Sequence, residues 1–149
     1  MSKPTPKPEA NWRSKSLESL EKSYWPAPES ESHLATTCHQ LRKKQLKEFE
    51  VEDLRIMIGQ DIGLMYLVPL AIEVLQDNIL AEGDLYAGDL LKALLTSDPD
   101  FWRSRPELWE QVKAVHAQNV SVIEKEASEY GTWRDIVKAY KVFETLNAL

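Results

Sequence analysis

Residues 46–91 decide the fold, and they read LKEFEVEDLRIMIGQDIGLMYLVPLAIEVLQDNILAEGDLYAGDLL. Positions 64–75 of this stretch are apolar on almost every side of a helix. The apolar side chains are Leu64, Leu67, Val68, Leu70, Ala71, Ile72, Val74 and Leu75. A helix with no polar face is normally buried on several sides. The sequence therefore predicts a central, buried helix over residues 64–78, around which the rest of the chain packs.

The remaining periodic segments predict amphipathic helices around that core. Apolar residues recur every three or four positions, and no segment alternates as a strand would. We expect helix starts at Ser30 or Ser32, at Asp84, and at capping-box patterns that begin at Ser104 and Thr132. The predicted helices cover residues 16–24, 32–41, 51–60, 84–95, 104–128 and 132–146. The predicted fold class is all-α: a single-domain bundle of about six to eight helices with a central apolar helix.

Composition divides the chain into two predicted parts. Residues 1–13 hold three prolines among polar and charged residues, so they bury too little apolar surface to offset the entropy of ordering. We expect a disordered or loosely attached N-terminal arm over residues 1–13 and one helical domain over residues 14–149. A chain of 149 residues is long enough for such a domain to hold its own core.

Bulk charge and apolar content exclude several classes of protein. A net charge of −6 and a pI near 5.1 argue against direct binding of nucleic acid, which needs a basic surface. No apolar run reaches the about 20 residues of a membrane span, and the N-terminus lacks a signal-peptide core. The single cysteine excludes an internal disulfide. We expect a soluble cytoplasmic protein without a membrane partner, and the oligomeric state stays open.

Catalytic and metal-binding motifs are missing from the sequence. His33 and His39 are six positions apart, about 240° around a helix, so they do not converge on one ion. Cys38 falls on an apolar stripe, where a buried thiol is more often inert than reactive. No nucleophile elbow or phosphate loop is present. We expect no enzyme activity, no catalytic residue, no cofactor and no metal site.

Acidic residues crowd the second half of the opening stretch and its continuation. Residues 73–100 carry seven carboxylates against one cation, Lys92, so their local charge equals that of the whole chain. Such a cluster is either a solvated face or a surface that meets a basic partner, whose association it would accelerate. We predict a partner-binding surface that comprises Asp77, Glu82, Asp84, Tyr86, Asp89, Asp98 and Asp100.

Three segments carry a family resemblance: SLESLEKSYWPAPES, SHLATTCHQLRKKQLKEFEVEDLRIMIGQDIGLMYLVPLAIEVL and LAEGDLYAGDLLKALL. They resemble immunity proteins of contact-dependent growth inhibition (CDI) and related polymorphic toxin systems. The resemblance implies a small cytoplasmic protein that binds the C-terminal toxin domain of a large exported effector. Many such toxins are nucleases, whose basic faces would suit the acidic surface. The alternative is a helical adaptor or regulatory subunit that binds a basic partner in an unrelated assembly.

Overall fold

A computed structural model describes residues 10–29 and 32–147, so most of the predicted arm and the candidate cap Ser30 lie outside the described residues. The all-α class is confirmed: the described ranges hold nine α-helices, two short 3-10 helices (Trp12–Ser14 and Leu46–Glu48) and no strand. The α-helices are α1 Leu17–Glu21, α2 His33–Leu41, α3 Val51–Gly59, α4 Leu64–Asp77, α5 Asp89–Leu95, α6 Pro99–Ser104, α7 Pro106–Gln118, α8 Val120–Glu129 and α9 Gly131–Phe143.

The chain divides into two compact units, residues 1–49 and 50–149. The predicted arm over residues 1–13 and the predicted domain over 14–149 stay predictions. In the first unit, Ser32 caps α2 as expected, accepting the Ala35 N–H at 3.4 Å. Arg42 is buried, and its guanidinium donates to the Glu21 carboxylate and to the Ser23 carbonyl at 2.6 Å. It therefore ties the end of α1 to the extended chain that follows.

The second unit is built around α4, as the apolar run predicted. Leu67, Val68 and Ala71 of this helix are fully buried. Helices α3, α5 and α7 all pack against it. Because three neighbours cover α4, it needs no polar face, which accounts for its composition.

The C-terminal helices are joined by buried aromatic side chains. Trp102 and Phe143 meet edge to face with ring centroids 4.9 Å apart, and the Trp102 Nε1–H donates to Ser97 Oγ at 3.0 Å. The Trp109 Nε1–H donates to the Phe143 carbonyl at 2.8 Å. Both indole donors are thus satisfied inside the core. Their rings tie α6 and α7 to the C-terminal end of α9.

Helix boundaries differ from the predictions at two places in this region. The helix predicted over 104–128 is broken at Asn119, whose side-chain amide donates to the Val115 carbonyl at 2.8 Å. An asparagine that bonds the local backbone in this way competes with helix continuation. Residues 99–104, which the sequence did not mark as helical, form α6, capped by Asp98. These two differences raise the helix count above the expected range.

Three predicted caps are wrong. Ser104 donates its hydroxyl to the Phe101 carbonyl rather than capping α7, and α9 begins at Gly131, one residue before Thr132. The helix expected to start at Asp84 begins instead at Asp89, after Gly88 with a φ of +96°. The five intervening residues form a loop rather than helix. That loop is the centre of the candidate site.

Candidate functional site

The buried carboxylate of Asp89 organises the segment before α5, which we call the 82–88 loop. Its Oδ1 accepts the Gly83 N–H at 2.7 Å, and its Oδ2 accepts the N–H groups of Leu85 and Tyr86 at 3.0 and 3.4 Å. Asp89 is only 2% exposed. Hydrogen bonds to an ionised acceptor are the stronger kind. The Asp89 side chain therefore faces inward and accepts hydrogen bonds from three backbone N–H groups. Because it is buried, its carboxylate is not accessible to a partner.

Helix α3 supports the loop from a second side. The Arg55 guanidinium makes two hydrogen bonds to Glu52, with its Nε also 3.6 Å from Asp89 Oδ2. Glu52 Oε1 in turn accepts the Asp84 N–H at 2.9 Å. Hydrogen bonding to Arg55, despite opposing desolvation, lowers the pKa of Glu52. The charged Glu52–Arg55 pair thus fixes the loop to α3.

Close approach restricts two loop positions: a side chain at Gly83 would displace the Glu52 carboxylate, and Gly88 requires glycine. A Cβ on Gly83 would lie 2.5 Å from Glu52 Oε1. A Cβ on Gly88 would lie 2.5 Å from the Trp133 ring, and the φ of +96° there is costly for any other residue. The base of the loop is closed by the Gly88 N–H, which donates to the Ala81 carbonyl at 3.2 Å. The loop is consequently held against α3 on one side and α9 on the other.

The outer side of the loop presents both charge and apolar surface. Glu82 and Asp84 are exposed. Leu85 is 62% exposed, and Tyr86 is half-buried. The loop therefore presents an exposed apolar side chain beside two exposed carboxylates.

The other sequence-predicted site residues lie outside this loop. Asp77 is the exposed last residue of α4. Asp98 caps α6 and donates its N–H to Asp61 Oδ1 at 2.8 Å. Asp100 is exposed, and its carboxylate lies 3.2 Å from Arg103 Nη1. The structure thus brings Glu82, Asp84 and Tyr86 together in one loop. Asp77 lies apart from them on α4, and Asp98 and Asp100 make local contacts at α6.

A cleft of about 380 Å³ opens next to the loop. Its walls include Leu80, Tyr86 and Ala87 on one side and Glu126, Tyr130 and Trp133 on the other. Tyr130 is half exposed, whereas Trp133 is buried. Sequence reasoning missed Leu85, Glu126 and Tyr130. The latter two are some 40 residues from the loop in sequence, so only tertiary packing reveals their proximity.

The charged groups near the cleft are mostly acidic: Asp89 and Asp135 act on Tyr86, against Arg55 as the opposing cation. Burial, followed by the charges of Asp89 and Asp135, raises the pKa of Tyr86. Glu126 is the one charged side chain among the described lining residues. A bound group with positive charge is therefore favoured there over an anion.

Cys38 and His116, which could act as a nucleophile or as an acid or base, are packed against other side chains. Cys38 is buried, and burial raises the pKa of its thiol, which disfavours the reactive thiolate. The His116 ring stacks on Tyr140 with centroids 3.4 Å apart, and burial lowers its pKa. Residues 10–29 and 32–147 contain no group of three or more potential metal ligands. No helix within those ranges is both long and apolar enough to cross a membrane.

Comparison with known proteins places most of the chain in a recognised family. A family model described as CDI immunity proteins matches residues 19–112. The match includes the 82–88 loop and ends inside α7, so the α8–α9 wall of the cleft lies beyond it. No curated protein and no solved structure matches the chain.

Proposed function

The chain belongs to the CDI immunity proteins, and we propose that it binds its cognate toxin domain directly through the surface around the 82–88 loop. Membership of this family indicates a toxin-neutralising immunity function, and immunity proteins of this kind are generally not enzymes. The proposal adds the binding surface, the chemistry of the partner and the mode of inhibition. A protector acts where its toxin acts, so we propose the cytoplasm as the compartment.

The observation that carries the proposal is the contrast between the two sides of the loop. Inside, Asp89 and the Glu52–Arg55 pair hold its backbone in one conformation. Outside, Glu82, Asp84 and Leu85 are exposed. A surface that is already ordered loses little conformational entropy on binding, so more of the contact energy appears as affinity.

The charge of this surface favours a basic partner. The 82–88 loop contains two carboxylates and no cation, within a chain of net charge −6. A nuclease must present a positive face in order to hold phosphate. We propose that the toxin is a nuclease and that this protein covers its active site or binds beside it and blocks substrate. Asp77, Asp98 and Asp100 stay predicted contacts, to be tested separately.

Protection from a lethal enzyme demands a tight complex. Nanomolar to picomolar dissociation constants correspond to about −12 to −16 kcal/mol. Buried anchors supply most of such an energy, while charges at the rim mainly raise the association rate. Leu85 and Tyr86 are the anchors that the loop offers, and Glu82 and Asp84 are the steering charges.

The first test is whether the chain neutralises the toxin domain encoded directly upstream of its gene. We expect the two to co-purify, the toxin's activity to fall to zero at one equivalent, and co-expression to restore growth. A chain that binds but leaves the activity intact would instead be an adaptor. Failure to bind would remove the proposed function.

The second test locates the surface by charge reversal. Glu82→Lys/Asp84→Lys should slow association by about tenfold or more at low salt, because it replaces attraction by repulsion. Glu110→Lys/Glu124→Lys changes the net charge equally at exposed positions outside the loop, and it is the matched control. Equal association rates for the two variants would move the interface away from the loop.

A further inference from the structure

The cleft beside the 82–88 loop has features of a receptor for one long side chain. Its loop wall and its helix wall each contribute a tyrosine, Tyr86 and Tyr130. Trp133 forms a buried part of the helix wall. Concave sites with aromatic walls and few polar groups are the usual form of a binding pocket.

Charges around the cleft select the kind of side chain. Segment 82–89 carries three carboxylates and no cation, and segment 120–135 carries four carboxylates and two cations. One of those cations, Arg134, donates its Nε–H to the Ala127 carbonyl at 3.0 Å. Glu126 lies on the cleft wall itself. A cationic occupant complements this field, whereas an anionic one would meet repulsion.

We propose that the cleft receives one arginine side chain of the toxin domain, with Glu126 as its counter-charge and Tyr130 as its stacking surface. This inference rests on the proposed function and specifies the partner's central contact. The guanidinium lies against the Tyr130 ring, and its outer N–H groups donate to the Glu126 carboxylate. Exposed Leu85 covers the neighbouring surface of the partner.

Arginine fits the cleft better than lysine does. Its planar guanidinium stacks on aromatic rings and is more weakly hydrated than an ammonium, so it enters a half-buried aromatic site at lower cost. It also binds a carboxylate with two parallel hydrogen bonds. Arginine, tyrosine and tryptophan are the residues most often found at the energetic centre of interfaces.

The first experiment measures dissociation constants of the purified toxin domain for four variants. Tyr130→Ala should weaken binding about 30-fold and Glu126→Gln about tenfold, the range of central interface residues. Tyr130→Phe keeps the ring and should bind within about twofold of the unmodified chain. Glu124 is an exposed carboxylate on the same helix and is not among the described residues that line the cleft. Glu124→Gln should therefore leave binding unchanged.

The second experiment identifies the occupant chemically. The toxin domain, free and in complex, is treated with phenylglyoxal, and its modified arginines are located by mass spectrometry. We expect one arginine to be protected in the complex with the unmodified chain. In complexes with Tyr130→Ala that protection should be lost at saturating concentration, while protection elsewhere in the interface persists.

A third measurement needs no toxin. Nα-acetyl-argininamide, added to the isolated chain, should shift the amide resonances of Tyr130 and Trp133 saturably in the millimolar range. Nα-acetyl-lysinamide should shift them less, and Glu126→Gln should abolish the difference. Equal shifts by the two probes would contradict the arginine assignment.

The outcomes separate this inference from the function on which it rests. Full affinity of both Tyr130→Ala and Glu126→Gln, with toxin inhibition intact, would overturn the cleft assignment alone. Protection of a lysine or an apolar segment instead of an arginine would do the same. Absence of any complex between the unmodified chain and the toxin domain would overturn both.

Discussion

Replacing Asp89 by asparagine tests the internal support of the 82–88 loop. The carboxylate accepts three backbone N–H groups within 3.4 Å and lies 3.6 Å from Arg55 Nε, almost entirely out of solvent. An amide of the same shape keeps one acceptor oxygen. It turns an NH₂ group toward at least one of the backbone donors and removes the negative charge beside Arg55. Asp89→Asn therefore isolates hydrogen bonding and charge from packing.

The expected change in the free energy of unfolding follows from the hydrogen bonds that Asp89→Asn removes. Hydrogen bonds to a charged group are worth about 1.5–3 kcal/mol each, and leaving a buried donor unpaired costs about 1–3 kcal/mol. Since one acceptor oxygen remains, we expect Asp89→Asn to lower the free energy of unfolding by about 3 kcal/mol. With a urea dependence of about 2 kcal/mol/M, the unfolding midpoint should fall by about 1.5 M.

Asp98→Asn is the matched control for this substitution. Asp98 is exposed and caps α6, a position where asparagine is about as good as aspartate. The urea midpoint of Asp98→Asn should differ from that of the unmodified chain by less than about 0.3 M, which corresponds to the usual range for surface substitutions. Hydrogen exchange gives a local readout, because the amides of Gly83, Leu85 and Tyr86 should exchange faster in Asp89→Asn. Equal midpoints for the two variants, or unchanged exchange at those amides, would refute the role assigned to Asp89.

Three further predictions concern the core and its response to pH. Gly88→Ala should destabilise the protein by roughly 3 kcal/mol in urea unfolding, because the new Cβ meets Trp133 at positive φ, whereas Gly131→Ala, in open space, should be neutral or stabilising. Trp133→Phe should lower the free energy of unfolding by about 1 kcal/mol less than Trp102→Phe does in the same assay. The buried Trp133 Nε1 has no hydrogen-bond partner among the described residues, whereas Trp102 Nε1 donates to Ser97. Equal losses of stability in the two variants would contradict this prediction. Burial lowers the pKa of His116 below its usual 6.5, so the stability that the neutral ring contributes is lost as the pH falls below 6.5. The thermal midpoint of His116→Phe should therefore fall less between pH 7.5 and 5.5 than that of the unmodified chain. An equal fall in the two proteins would refute this role of His116.

The central helix was predictable from sequence because burial on several sides has a direct compositional signature. Leu70 and Ile72 are both apolar and both buried, although they point in nearly opposite directions, about 200° apart around the helix. Trp133 likewise lies on an apolar face of α9, together with Ile136 and Phe143, and all three are buried. In both cases local periodicity and tertiary burial give the same answer.

The orientation of individual carboxylates was not predictable in this way. Asp84 and Asp89 are the same residue type only five positions apart, yet Asp84 is exposed and Asp89 is buried. The difference arises from Arg55 on α3 and from the positive φ of Gly88, neither of which is visible in the local pattern. The sequence therefore placed both carboxylates on one predicted surface, whereas the structure exposes Asp84 and buries Asp89.

The break at Asn119 and the helix wall of the cleft were missed for a related reason. Amphipathic periodicity continues across Asn119, so the apolar stripe gives no sign of two helices, although asparagine is a weak helix former. The turn at this residue and the next at Tyr130 bring Glu126 and Tyr130 to the loop. Their positions depend on packing between α8 and α9, which single-sequence patterns do not encode.

The most direct test of the proposed binding surface is an inhibition titration of the cognate toxin domain, run at a toxin concentration below the dissociation constant of the unmodified chain. The unmodified chain and the Glu110→Lys/Glu124→Lys control should reach half inhibition at the same concentration. Glu82→Lys/Asp84→Lys should require at least a tenfold higher concentration for half inhibition. Half inhibition by Glu82→Lys/Asp84→Lys at the same concentration as the control, with the same association rate, would show that the toxin binds elsewhere.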